Sequence, residues 1–262
     1  MAKIRLDLLL TQQGHFESRA QAQAVIMSGV VFLGGKRMDK PGAMVAETAA
    51  PEIRGEVIPY VSRGGLKLKK ALASFDVSPN GKHCIDCGAS TGGFTDCLLQ
   101  NGATHVYAVD VGYGQLDWKL RQDARVTVLE RTNVRYLTPD ALADVPALAT
   151  IDLSFISLRL VLPAIHALLM DDGEVICLIK PQFEAGREQV GKKGVVRDPA
   201  VHRQVLEKFL LDAEGTGFGV QAIDFSPIKG PEGNLEYLGH LAKNKPSASD
   251  IDVQAVVEAS HQ

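Results

Sequence analysis

The sequence predicts an α/β fold, with a doubly wound, mostly parallel, seven-stranded sheet behind a small N-terminal α+β module. Three observations predict it. From residue 82 onward, short apolar runs alternate with helix-length segments, as strands joined by crossover helices do. The first of these runs, Cys84-Ile85-Asp86-Cys87, feeds a glycine-rich turn, Gly88-Ala89-Ser90-Thr91-Gly92-Gly93, from which a helix departs. Finally, residues 1–72 carry 11 Lys and Arg against 6 Asp and Glu, whereas the remainder carries 17 against 25. A basic front segment on an acidic body points to a polyanion as partner of the N-terminus.

The N-terminal module, residues 1–58, reads as two helices and a hairpin. Lys3 to Gln13 form the first helix, stopped by Gly14. Ser18 caps a second, Arg19 to Ser28, and Gly29 ends it. Val30 to Leu33 read as a strand, Gly34-Gly35 as the turn and Lys36-Arg37-Met38 as the return. This arrangement offers Arg5, Arg19, Lys36 and Arg37 as candidate contacts to nucleic acid. Residues 55–60 read as a linker, with Pro59 marking extended chain. A basic helix start follows, from Ser62 and Arg63 to Leu72, holding Lys67, Lys69 and Lys70.

In the body, residues 59–245, strand signals lie near 84–87, 105–110, 126–129, 148–153, 174–180, 219–225 and 235–240. Helical stretches lie near 92–101, 115–123, 158–170 and 199–213. Residues 246–262 read as a C-terminal tail with some helical character. Cys84 and Cys87 have metal-like spacing, but residues three apart on a strand point to opposite faces. With no second pair to complete a site, the four cysteines read as buried, reduced core residues, and no metal is expected.

The glycine-rich turn is the strongest functional signal. Glycines let the backbone pass close to a ligand, and the helix start presents free N–H groups. Asp110 closes the next apolar run about 20 positions on, where an acid can hold a ribose diol. The glycines fall as G-x-x-x-G-G, unlike the dinucleotide pattern, and Asp86 precedes the first by two. That suits S-adenosylmethionine better than a pyrophosphate, because its sulfonium and amino acid carry no phosphate. Asp86, Gly88, Ala89, Ser90, Gly92, Gly93, Phe94 and Asp110 are the candidate cofactor residues.

Ligands of such sheets bind beyond the carboxyl ends of the strands. Asp152 interrupts the fourth apolar run, Lys180 closes the fifth and Pro181 breaks the chain after it, and Glu236 enters the last. A lysine closing an apolar strand is costly unless paired or functional. Asp152 has a second reading, as the cap of the helix near Ser157. The stretch from Gly186 to Arg197 is basic and punctuated by glycine. It reads as a mobile loop that closes on phosphates through Arg187, Lys192 and Lys193.

Two resemblances follow. The pattern Arg5-Leu6-Asp7, Gly14, Ser18-Arg19, Ala22, Ile26 and Gly29-Val30-Val31 resembles the S4 RNA-binding domain over residues 3–60, with Gly34-Gly35 where that family usually has Asn-Gly. Residues 60–242 resemble the FtsJ-like ribose 2′-O-methyltransferases. The resemblance rests on Ser62 to Lys67, Asp86 to Phe94, Asp152 to Ser157, Lys180 to Glu184 and Gly233 to Tyr237. The whole chain is thus similar to the TlyA family of ribosomal RNA methyltransferases, often labelled hemolysins. The resemblance implies a catalytic set of Lys67, Asp152, Lys180 and Glu236, with S-adenosylmethionine as cofactor. It also implies ribosomal RNA, or a ribosomal subunit, as partner, with Arg63 beside the candidate RNA contacts.

Such a set suits methylation of a hydroxyl. A ribose 2′-OH is a poor nucleophile and must lose its proton as it attacks in line. A lysine serves as base only when desolvation or a neighbouring cation disfavours its charge, so the placement of the carboxylates decides between base and orienter. A catalytically inactive RNA-binding protein is the alternative. A membrane-active hemolysin is disfavoured, because no run reaches spanning length and the start, Met1 to Asp7, meets an acid at once. A cytoplasmic protein is expected.

Overall fold

The structure, a computed structural model, describes residues 2–16, 18–27, 29–54, 58–230 and 232–262, without the side chains of residues 20, 24 and 27. The expected helix end at Ser28 and residues 55–57 of the expected linker lie outside this set. The chain divides into two compact units, Met1–Arg63 and Gly64–Gln262.

In the first unit the expected opening helix is split. Lys3–Arg5 is a strand, β1, pairing antiparallel with Met44–Ala46, and the helix runs only over Leu6–Gln12. Extended backbone at Arg5 separates the two. The second helix, Arg19–Met27, and the hairpin Val31–Leu33 with Lys36–Met38 form as expected. Both turn glycines take positive φ, 57° at Gly34 and 78° at Gly35, the backbone a tight two-residue hairpin requires. A further strand, Glu52–Ile53, pairs with the other edge of Val31–Leu33. Leu6, Leu9, Leu10, Ile26 and Val31 form the core of this unit.

Among the described residues of the second unit, seven strands form one sheet. Its order is Phe218–Phe225, Tyr237–Lys243, Glu174–Ile179, Leu148–Ile151, His83–Cys87, His105–Val109 and Val126–Leu129. Tyr237–Lys243 is antiparallel to both its neighbours, and the other pairings are parallel. His83–Cys87 lies between His105–Val109, the next strand in sequence, and Leu148–Ile151, so the direction of winding reverses at its carboxyl end. That reversal opens the crevice where ligands of such sheets bind.

Helices Gly64–Phe75, Gly93–Gln100, Leu162–Leu168 and Pro199–Glu214 cover the sheet. The helix expected over 115–123 is only Trp118–Arg121, because Gly112 and Gly114 keep the preceding chain in turns and Asp117 caps late, accepting from Lys119 N–H at 2.9 Å. The tail carries a helix, Val253–Ser260. All four cysteines are free and buried, and burial pushes the Cys84 thiol up to about 12.

Candidate active site

The parallel register builds the cofactor side of the crevice. Asp86 stands opposite Thr150, whose hydroxyl donates to it at 3.0 Å, and Thr95 on the next helix donates at 2.7 Å. The carboxyl is fully buried. Burial therefore pushes it up to about 6, against the partial relief of the two hydroxyls. Asp86, expected among the cofactor residues, thus has both carboxylate oxygens engaged by threonine hydroxyls, one from the neighbouring strand and one from the helix that follows the turn. Thr95 and Thr150 were not legible as its partners, because each is an ordinary apolar-segment threonine until the register pairs them.

The turn is stitched to the neighbouring strand by Gly88 and Ala89 N–H groups, which donate to Val109 O at 2.8 and 3.1 Å. At Gly88, φ is +90° and a side chain would meet the Asp152 carbonyl at 2.5 Å. Glycine here lets the turn lie against the strand that brings Asp152, a close approach of protein to protein. Gly92, at φ +96°, has the side chains of Leu120 and Leu116 in the same position. Ser90 is exposed with φ 48°, whereas Ala89, Gly93 and Phe94 are buried.

Asp110 lies half-buried at the strand end. Its carboxylate accepts from Ser90 N–H at 2.8 Å and Gly112 N–H at 2.6 Å, tying two loops at the mouth of a groove of about 230 Å³. Gly88, Asn133 and Ser154 line the same groove. The groove, the uncapped start of the Gly93–Gln100 helix and an acid at the strand end together fit a nucleoside cofactor.

The four expected catalytic residues converge. Lys67, on the Gly64–Phe75 helix, donates to Glu236 at 2.6 Å and lies 3.8 Å from Asp152. Lys180 pairs with the other Asp152 oxygen at 2.6 Å and donates to Ser154 at 3.3 Å. Both lysines and Glu236 are buried, whereas the Asp152 side chain keeps 21% of its surface open. Of the three lysines of that helix, Lys67 is the one that reaches this cluster. Lys69 is exposed and Lys70 is spent on Asp224 and the Phe225 carbonyl.

Asp152 does not cap the helix near Ser157. Glu184 does so, accepting from the Ser157 hydroxyl and from Leu158 N–H, both at 2.7 Å. Sequence reasoning missed this residue and Ser154, although both sit inside the motifs it used.

The expected RNA contacts separate into groups. Arg5 and Arg19 both bind the buried carboxylate of Asp7, each at 2.9 Å, so part of their hydrogen-bonding capacity is committed inside the unit. Lys36, Arg37, Arg63, Arg187, Lys192 and Lys193 are exposed. The expected mobile loop from Gly186 to Arg197 is built of short turns and anchored by buried Val195 and Val196.

Comparisons with known proteins place both parts of the chain in known families. Residues 60–243 match the FtsJ-like methyltransferase family, and residues 4–49 match the S4 domain. The chain is 45% identical to the 16S/23S rRNA (cytidine-2′-O)-methyltransferase TlyA of Mycobacterium tuberculosis, over 99% of this chain and 97% of the relative. It is 42% identical to hemolysin A of Brachyspira hyodysenteriae, over 91% of this chain and 99% of that one. A solved hemolysin candidate from Streptococcus thermophilus superposes with a TM-score of 0.80 at 50% identity, covering 100% of this chain and 96% of the other. The chain therefore belongs to the TlyA family, in which an S4 domain precedes an FtsJ-like methyltransferase body.

Proposed function

We propose that this protein transfers a methyl group from S-adenosylmethionine to a ribose 2′-hydroxyl of ribosomal RNA, with the S4 domain docking the RNA. The observation that carries the reading is the convergence of Lys67, Asp152, Lys180 and Glu236 beside the glycine-rich turn. When bound, S-adenosylmethionine supplies an electrophilic methyl on a positive sulfur. Asp110 and the Gly88–Ser90 backbone would hold it, because they line or shape the groove.

The chain's own residues do the remaining work. The Lys180 ammonium is shared between Asp152 and Ser154, so it orients the hydroxyl and steadies the oxygen as negative charge develops. Asp152, open on one side, accepts a hydrogen bond from the hydroxyl and aims it, and the proton leaves to solvent across that side as the methyl–oxygen bond forms. Glu236 fixes Lys67, which in turn lies behind the second Asp152 oxygen. A cytoplasmic site of action follows from the substrate.

Transfer of tritiated methyl from labelled S-adenosylmethionine to ribosomal RNA tests the reading. Label at ribose 2′-oxygens is the expected result, and label on bases or on protein alone would overturn it. The relative's hemolysin name has no support from a spanning helix, since no helix among the described residues is long and apolar enough to cross a membrane.

A further inference from the structure

The residues on either side of Glu236 hold one and the same segment, the end of the basic loop that follows Lys180. On one side, the Asn234 side chain, 3% exposed, accepts from Val196 N–H at 3.0 Å and donates to the Gly194 carbonyl at 2.9 Å. On the other, the Tyr237 hydroxyl meets His202 Nδ1 at 2.7 Å, and His202 Nε2 meets the Val196 carbonyl at 3.1 Å. A carbonyl can only accept, so Nε2 carries the hydrogen and Nδ1 accepts from Tyr237. Burial lowers the pKa of His202, which keeps the ring neutral and this tautomer in place. The loop's own turn is closed by Gly191 N–H donating to Val195 O at 3.1 Å, which presents Lys192 and Lys193 at an exposed tip.

We infer that this loop is a positioning element for Glu236, and that Asn234 is the residue through which it acts. Two buried attachments to residues 194–196 bracket a carboxylate that is itself buried and closed on Lys67. Tyr237 is held in the sheet from both sides, so a displacement of the loop is taken up at Asn234, two residues from Glu236, and shifts the Glu236–Lys67 pair that backs Asp152. A polyanion engaging Lys192 and Lys193 thus sets the catalytic carboxylates and not only the affinity. The inference rests on the RNA methyltransferase reading above and adds coupling between phosphate contact and chemistry.

Single-turnover methyl transfer with the full chain tests it, with RNA binding and S-adenosylmethionine binding measured separately. Asn234→Ala should slow the rate at saturating RNA about 10-fold or more while both affinities stay within about threefold, because chemistry and binding separate under these conditions. Asn234→Asp keeps the acceptor for Val196 N–H and should recover part of the rate. Lys192→Ala with Lys193→Ala should weaken RNA binding and also slow the saturated rate. In the Asn234→Ala background the same pair should change RNA binding only, since residues acting through one path are non-additive.

Independent effects of the two changes on rate, or an Asn234→Ala protein with the original rate, would overturn the coupling. Should Asn234→Ala unfold, the same double comparison with Asn234→Asp decides. A parent protein that transfers no methyl group would instead sink the functional reading itself.

Discussion

Asp7 in the N-terminal unit and Asp86 in the catalytic body are both fully buried aspartates, and their chemistry runs in opposite directions. Asp7 accepts from Arg5, Arg19 and Gln23. The Arg5 guanidinium, first among these partners, holds its carboxyl well below the usual range. Asp86 is met by neutral donors, the hydroxyls of Thr95 and Thr150 and the Thr95 backbone, and burial carries it up to about 6. Both side chains are closed to water, but Asp7 lies just beneath two half-exposed arginines whereas Asp86 lies deep in the body, so depth and partners together set the direction of each shift. Asp152 extends the comparison: like Asp7 it has cations on both oxygens, but its side chain keeps 21% of its surface open.

Removing the cation paired with Asp152 should have the largest effect. Lys180→Met keeps much of the apolar stem, so the protein should fold and bind S-adenosylmethionine yet transfer methyl groups at least ~100-fold more slowly. A single-turnover rate equal to that of the parent would show that the Asp152 pairing is only structural.

Asp110 tests a carboxylate whose partners are backbone N–H groups. Asp110→Ala removes the tie between Ser90 and Gly112 along with the carboxylate proposed to hold the ribose. It should weaken S-adenosylmethionine binding about 10- to 100-fold by calorimetry, the range for lost charge-assisted hydrogen bonds. Unchanged affinity in a folded protein would take Asp110 out of the site.

The two fully buried aspartates should then show opposite pH dependence, with smaller effects, read separately by hydrogen exchange in each unit. Asp7 is depressed when folded, so its contribution is complete above about pH 4 and is lost as pH falls below that value. Asp7→Asn should remove that acid limb and lower the unit's unfolding midpoint by roughly 5 °C or more. Protection of residues 6–12 that does not change with acid would contradict the Arg5–Asp7–Arg19 account.

Asp86 is raised when folded, so its contribution is complete below about pH 4 and is lost as pH rises through about 6. Asp86→Asn should flatten the body's stability between those values and leave the N-terminal unit untouched. A mutant that kept the parent's slope would place the titrating group elsewhere.

The sequence determined by itself what depends on local pattern. Alternating apolar runs marked the strands, and Gly34-Gly35 marked a turn that needs positive φ at both positions. Strand ends marked Asp152, Lys180 and Glu236 as polar residues in costly places, and the family motifs added Lys67. Only the tertiary structure decided the partners. Lys67 and Glu236 are 169 positions apart, and Asp86 finds Thr150 64 positions away. No periodicity encodes such pairings, because they follow from sheet register and helix packing.

The same reason explains the corrections. The same pairing adds partners that no local pattern showed: Thr95 and Thr150 for Asp86, and Asp7 for Arg5 and Arg19. Lys3–Arg5 became a strand because a pairing edge at Met44–Ala46 was available. Local propensity chooses among a few backbone states, whereas the energy of a buried charge depends on whatever the folded chain brings beside it.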